Sequence, residues 1–129
     1  MTGYLLDTSA TLIALTDPSL LTPGVHAAIL AGPNVLSVVV LWEVVLKSMK
    51  GKLAVGEPVT WWRDALDQLA ARPLSLRPEH IGAVCQLPPI HQDPFDRALI
   101  AQATIEDLAL VTTDGEISKY ASNSLQVVQ

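Results

Sequence analysis

Asp7, Glu43, Asp96 and Asp114 are the residues whose type and setting could do chemistry together. Asp7 ends the short apolar run Tyr4-Leu5-Leu6, and Asp114 follows Leu110-Val111-Thr112-Thr113. Glu43 stands between Trp42 and Val44-Val45-Leu46, an apolar setting in which an unpaired carboxylate would be costly. Asp96 follows Asp93-Pro94-Phe95, in the first turn of a predicted helix. The four are far apart along the chain, so only a fold can assemble them. At one mouth they would repel one another and hold protons more tightly unless cations sat between them. Hard divalent ions such as Mg²⁺ or Mn²⁺ take oxygen ligands of this kind and keep water in their remaining positions. The chemistry that suits such a mouth is phosphodiester hydrolysis. One ion presents bound hydroxide, and a second, about 3.5–4 Å away, stabilises the leaving oxygen.

Each acid also has a plainer explanation. Asp7, beside Thr8 and Ser9, could simply cap the following helix, and Glu43 could form an i,i+4 ion pair with Lys47. Asp93 before Pro94 is the natural N-cap, which leaves Asp96 to face a metal or close a capping box. Asp114 before Gly115 is an ordinary turn signature, and Glu116 could replace it as the fourth acid.

The elements that must position these residues alternate. Apolar runs at Tyr4 to Leu6, Val35 to Val38, Leu74 to Leu76, Leu110 to Thr112 and Leu125 to Val128 read as short strands. Helices are expected from Thr8 to Leu15, Thr22 to Leu30, Val40 to Lys50, after Glu57-Pro58, from Arg77-Pro78 through Cys85, and from Asp93-Pro94 to about Asp107. A short helical turn lies between the last two strands. Such alternation calls for an α/β domain with a mostly parallel sheet of about five strands between helices, spanning residues 1–129 as a single unit. In such a sheet ligands bind beyond the carboxyl ends of the strands, where Asp7 and Asp114 fall.

Composition narrows the class. Half of the 129 residues are hydrophobic and 16% are charged, which excludes a disordered chain. Thirteen acidic against eight basic residues give a net charge of −5, so bulk positive charge is not how this chain would hold nucleic acid. Lys47, Lys50 and Lys52 form its one basic cluster, a candidate local track for phosphates. Cys85 is the single cysteine, which excludes an intrachain disulfide and a Cys-rich zinc site, and it reads as a buried small hydrophobe. Asp7 interrupts the first apolar run and no run approaches the length of a membrane span, so a soluble, cytoplasmic protein is expected. Of the adjacent Trp61 and Trp62, one is expected in the core and one at a partner interface.

Four stretches, in order, carry a family resemblance. They are Leu5-Leu6-Asp7-Thr8; Leu41-Trp42-Glu43 through Lys47 to Gly51-Lys52-Leu53; His91-Gln92-Asp93-Pro94-Phe95-Asp96-Arg97 into Leu99-Ile100-Ala101-Gln102-Ala103; and Leu110-Val111-Thr112-Thr113-Asp114. On these the chain resembles the PIN-domain ribonucleases, specifically the VapC-like toxins of bacterial type II toxin–antitoxin pairs. The resemblance covers nearly the whole chain, and the His-x-Asp-Pro-Phe-Asp-Arg stretch is its most specific part. It implies a PIN-like three-layer α/β/α sandwich and an Mg²⁺- or Mn²⁺-dependent endoribonuclease acting on tRNA, rRNA or mRNA. It further implies that the metal-binding acids are Asp7, Glu43, Asp96 and Asp114, and that the protein is a homodimer inhibited by a VapB-like antitoxin. Thr8, Lys47, Asp93, Arg97 and Thr112 are then candidates for supporting the acids or touching RNA, and His91 for phosphate binding or proton transfer.

The sequence departs from that pattern in two places. Relatives often carry Ser or Thr at the position of Val40, capping the helix that bears Glu43; valine cannot, so that helix start is expected to shift. Many have His at the position of Ser9. Two other readings compete: a non-catalytic PIN-like module that binds RNA or protein, and a phosphatase working through an aspartyl phosphate on Asp7. The second lacks the acid it needs two positions on, where Ser9 stands.

Overall fold

The computed structural model describes residues 2–90 and 92–129, which leaves the His91 expectation outside the described residues. Five strands, β1 Tyr4–Leu6, β2 Asn34–Ser37, β3 Ala71–Leu74, β4 Ala109–Val111 and β5 Val127–Val128, form one sheet in the order β3-β2-β1-β4-β5. Every pairing is parallel, with Tyr4 opposite both Asn34 and Ala109, and Val111 opposite both Leu6 and Val128. The three inner strands are almost wholly apolar and buried, as strands covered on both faces must be.

Their side chains alternate between two cores. Leu5, Val35 and Leu110 face one cluster, which holds Val39, Val40 and Val44 of helix α3 (Val38–Met49) and Leu99, Ile100 and Ala103 of α6 (Pro94–Ile105). Leu6, Leu36 and Val111 face the opposite cluster. There they meet Ala10 of α1 (Thr8–Thr16), Val25 and Ala28 of α2 (Pro23–Ala31), and Ala65 of α4 (Pro58–Gln68). Helices on both faces of one sheet make the three-layer α/β/α sandwich expected from the sequence. Each fully buried Leu or Val contributes about 1.5–3 kcal/mol through removal from water. Helix α5 (Pro78–Val84) packs on α6, and α7 (Gly115–Ser118) follows β4. Among the described residues no helix is long and apolar enough to cross a membrane.

Several boundaries differ from the sequence expectation. The second strand ends at Ser37 and α3 begins at Val38, not Val40. Its cap is Ser37, whose hydroxyl accepts from the backbone N–H of Val39 at 3.0 Å, so the missing hydroxyl at Val40 is replaced from upstream. Gly51, at φ +73°, terminates that helix as its sequence position suggested. The third strand is Ala71–Leu74 rather than Leu74 to Leu76, because an edge strand tolerates the exposed Arg72 and Pro73 that argue against a central one. The fifth strand is only Val127–Val128, and a 3₁₀ turn at Pro18–Leu20 was not anticipated. Cys85 is exposed, past the end of α5, with its thiol donating to the Gly82 carbonyl. Trp61 and Trp62 both pack, half-buried, against the cores.

Candidate active site

In this strand order the chain winds outward from β1 through β2 to β3, and from β4 to β5 on the other side. The gap between the carboxyl ends of β1 and β4 is therefore the topological switch point, where two diverging connections leave a crevice. Asp7 leaves β1 and Asp114 lies just beyond β4, one on each side of it. A cavity of about 420 Å³ opens there, lined by Asp7, Thr8, Ser9, Glu43, Lys47, Asp93, Asp96, Thr113, Asp114 and Gly115. All four acids singled out by spacing thus meet at one mouth, and Asp93 joins them.

Each acid is held by local structure. Asp7 is 2% exposed and caps α1, its Oδ1 accepting from the N–H of Ala10 at 2.8 Å and from Ser9 Oγ at 3.1 Å. The buried Thr112 hydroxyl donates to Asp7 Oδ2 and accepts from the N–H of Asp114 at 2.9 Å, so one side chain ties both strand ends together. Burial pushes the Asp7 carboxyl above the usual carboxylate range; the donors from Thr112, Ala10 and Ser9 oppose that rise, and the charge of Asp114 adds to it.

Asp93 caps α6, accepting from the N–H groups of Phe95 (2.8 Å) and Asp96 (3.1 Å), which sets Asp96 in the first helical turn facing the cavity. Asp114 caps α7, accepting from the N–H of Glu116 at 2.9 Å. Cap and cavity residue are therefore the same side chain three times over, at Asp7, Asp93 and Asp114. Helices α1, α6 and α7 bring the positive ends of their dipoles toward the mouth, which offsets part of the carboxylate repulsion.

Glu43, on α3, is buried with both oxygens engaged. Oε1 accepts from Thr8 Oγ1 at 2.6 Å, and Oε2 pairs with Lys47 Nζ at 3.0 Å. Of the candidate supports, Thr8 and Thr112 thus hold an acid each. Arg97 does not reach the mouth: its guanidinium donates to the carbonyls of Pro88 (2.9 Å) and Val84 (3.1 Å) and contacts Tyr120 Oη, tying the segment before α6 to its neighbours. Glu116 pairs with Lys119 at 3.0 Å, outside the cavity wall, so Asp114 is the fourth acid there. Lys50 and Lys52 are exposed beyond the cavity, leaving Lys47 as the lysine in its wall.

Thr113 was missed from the sequence. Its hydroxyl pairs with that of Ser9 at 2.7 Å, and a Thr113-to-Ser9-to-Asp7 chain of hydroxyl donors runs along the wall. Its one signal was the Thr-Thr-Asp run after the fourth strand.

Among the described residues the wall offers carboxylate and hydroxyl oxygens as metal donors, and this suits Mg²⁺ or Mn²⁺ over softer ions. Among the described residues no three His, Cys, Asp or Glu side chains converge closely enough to hold an ion as they stand. The reason is visible in the hydrogen bonds: the oxygens of Asp7 and Glu43 rest on Thr112, Ser9, Ala10, Thr8 and Lys47.

The sequence model of the PIN domain matches residues 4–123. No curated protein sequence matches. Among solved structures, the fold is similar to a chain of VapBC2 from Rickettsia felis bound to a fragment of promoter DNA, with 16% identity, 96% of each chain covered and a TM-score of 0.69. It is also similar to VapBC-5 of Mycobacterium tuberculosis, from a toxin–antitoxin family (18% identity, 100% and 99% covered, TM-score 0.62). FitAcB from Neisseria gonorrhoeae is a third (19%, 98% and 96%, TM-score 0.62). At these identities the likeness establishes the fold.

Proposed function

The chain belongs to the PIN-domain family, and from that premise we propose that it is a metal-dependent endoribonuclease, the cytoplasmic toxin of a toxin–antitoxin pair. The observation that carries the reading is the convergence of Asp7, Glu43, Asp96 and Asp114 on one cavity at the sheet's switch point. These four would hold Mg²⁺, with Mn²⁺ able to substitute. Bound there, the ion supplies a water of lowered pKa and neutralises charge on the phosphodiester.

The protein's own residues do the rest. Thr112, Ser9 and the Ala10 N–H hold Asp7 at a fixed place and keep it ionisable despite its burial. Asp93 fixes the first turn of α6 and with it Asp96. Thr8 orients Glu43. Five carboxylates in the wall repel an RNA phosphate, so the substrate reaches this site only once that charge is neutralised.

Partners are part of the proposal. On α3, Trp42 and Met49 lie two helical turns apart and are 54% and 77% exposed, and the Trp42 ring stacks edge-on against Phe95 at 5.0 Å. This apolar exposure supports a homodimer through α3. The similarity to VapBC-5, a member of a family of toxin–antitoxin systems, supports a VapB-like antitoxin, which a basic side chain entering the acidic mouth would make inhibitory. The RNA target is a tRNA, rRNA or mRNA.

The competing reading, a PIN-like module that binds RNA or protein without cutting, draws on the absence of three converging ligands among the described residues. One experiment separates them: total bacterial RNA is incubated with the purified protein in Mg²⁺ or Mn²⁺, in EDTA, and with Asp7→Asn or Asp96→Asn. Discrete cuts that need metal and vanish in folded variants are expected. RNA left intact by a protein that also fails to bind Mn²⁺ in calorimetry would move the assignment to the binding module.

A further inference from the structure

Lys47 holds a place in the acidic mouth that the nuclease reading does not yet use. Its ammonium lies 3.0 Å from Glu43 Oε2, and the Lys47 side chain is 43% exposed whereas that of Glu43 is 10% exposed. The pair therefore joins a carboxylate turned inward to a cation that still reaches solvent. Glu43 Oε1 is taken by Thr8, so among the described residues Lys47 is the cation paired with this acid. Asp7 is satisfied differently, by hydroxyl and backbone donors on both oxygens.

A carboxylate in this setting is costly without a cation, and the neighbouring acids in the wall make it more so. A lysine one turn along the same helix reaches it without strain, and an i,i+4 pair of this kind is weak enough to be exchanged. A lysine ammonium is a flexible point charge with three donors, able to swing between a carboxylate and a phosphate oxygen.

We infer that Lys47 is the internal counter-ion of this site: it occupies Glu43 Oε2 in the metal-free protein, yields that oxygen when the divalent cation enters, and then meets the RNA phosphate at the mouth. The inference rests on the metal-dependent nuclease reading.

Calorimetric titration of the folded, antitoxin-free protein with Mn²⁺ tests it, comparing wild type with Lys47→Met and Lys47→Arg. Lys47→Met is expected to bind Mn²⁺ about five- to tenfold more tightly, the order expected for removing one positive charge a few ångströms from the ion in a partly wet site. Lys47→Arg, with its forked and more persistent carboxylate pairing, is expected to bind no more tightly than wild type. At saturating Mn²⁺, RNA cleavage by Lys47→Met should lose in KM with kcat nearly kept, and Lys47→Arg should restore KM. Lys47→Met binding Mn²⁺ no better than wild type would overturn the counter-ion role while leaving the nuclease standing. An unchanged KM would overturn the phosphate contact. If wild type and Lys47→Met both fail to bind Mn²⁺ while circular dichroism shows both folded, the nuclease reading falls and this inference with it.

Discussion

The Thr112 hydroxyl offers the sharpest test of how the mouth is built. It is wholly buried, donates to Asp7 Oδ2 and accepts from the N–H of Asp114, so it spans the crevice between β1 and β4. Thr112→Val keeps the shape and removes both bonds. Losing a hydrogen bond to a buried carboxylate costs about 1.5–3 kcal/mol, and an orphaned, half-buried N–H adds about 1 kcal/mol. The extra apolar contact of valine returns about 0.8 kcal/mol, leaving about 2–3 kcal/mol. At this chain length 1 kcal/mol moves the melting temperature by about 4 °C, so a fall of about 8–12 °C at pH 7 in EDTA is expected.

The pH dependence follows from the raised Asp7 pKa. A carboxyl raised on folding binds its proton more tightly in the folded than in the unfolded state, so its ionisation costs stability above the folded pKa and that cost disappears as pH falls. Removing Thr112, one of the donors that oppose the rise, lifts the Asp7 pKa further. The deficit of Thr112→Val relative to wild type should therefore shrink as pH is lowered and Asp7 becomes protonated. In an Asp7→Asn background, where asparagine keeps the cap of α1 and the charge is gone, Thr112→Val should cost only about 1 kcal/mol, as for a neutral hydrogen bond. Equal losses at pH 7 in the wild-type and Asp7→Asn backgrounds, by thermal or urea unfolding, would refute the claim that this hydroxyl serves a buried charge.

Other expectations follow from the same structure. Ser37→Ala should lose about 1 kcal/mol by removing the cap of α3, and Val40→Ser should not recover it, since position 40 is inside the helix and wholly buried; urea unfolding of both variants checks this. Glu106 is held below the usual carboxylate range by His80 and then Arg77. It therefore stabilises the fold above the unfolded glutamate pKa of about 4.5, and that contribution is lost as pH falls through its lowered folded value. Glu106→Gln should lower the melting temperature at pH 7 and converge with wild type in acid, once the pH has fallen below that lowered folded value. A Cβ on Gly3 would lie 2.8 Å from the Pro33 carbonyl oxygen, a backbone atom that cannot step aside, so Gly3→Ala should cost about 1–3 kcal/mol by denaturant unfolding.

What the sequence made legible, and what it concealed, divides along a physical line. Asp7, Glu43 and Asp114 were readable because a carboxylate at a strand end or inside an apolar helix breaks a local pattern, whereas Asp96, in a first helical turn beside the capping Asp93, was singled out by the family resemblance. Helix starts at Thr22-Pro23, Glu57-Pro58 and Asp93-Pro94 were readable because cap chemistry is local. The third strand was misplaced because Arg72 and Pro73 are admissible only at a sheet edge, and edge status is a tertiary fact. Cys85 was misread because a residue past a helix end obeys no burial periodicity.

The partnerships were hidden most completely. Ser9 meets Thr113, and Thr112 meets Asp7, across more than a hundred residues, and hydroxyls carry no charge pattern to announce them. His80 and Gln102 are wholly buried on α5 and α6 and hydrogen-bonded across that helix pair, yet nothing in the sequence around either distinguishes it from a surface residue. A sequence of this kind declares its charged chemistry and withholds the neutral groups that aim it, because charge in an apolar run is costly wherever the run goes, whereas a hydroxyl acquires its role only when the sheet closes. Thr112 is where the two meet: a hydroxyl that the family resemblance alone marked is bonded to the acid that burial raises, and its removal should raise that acid further.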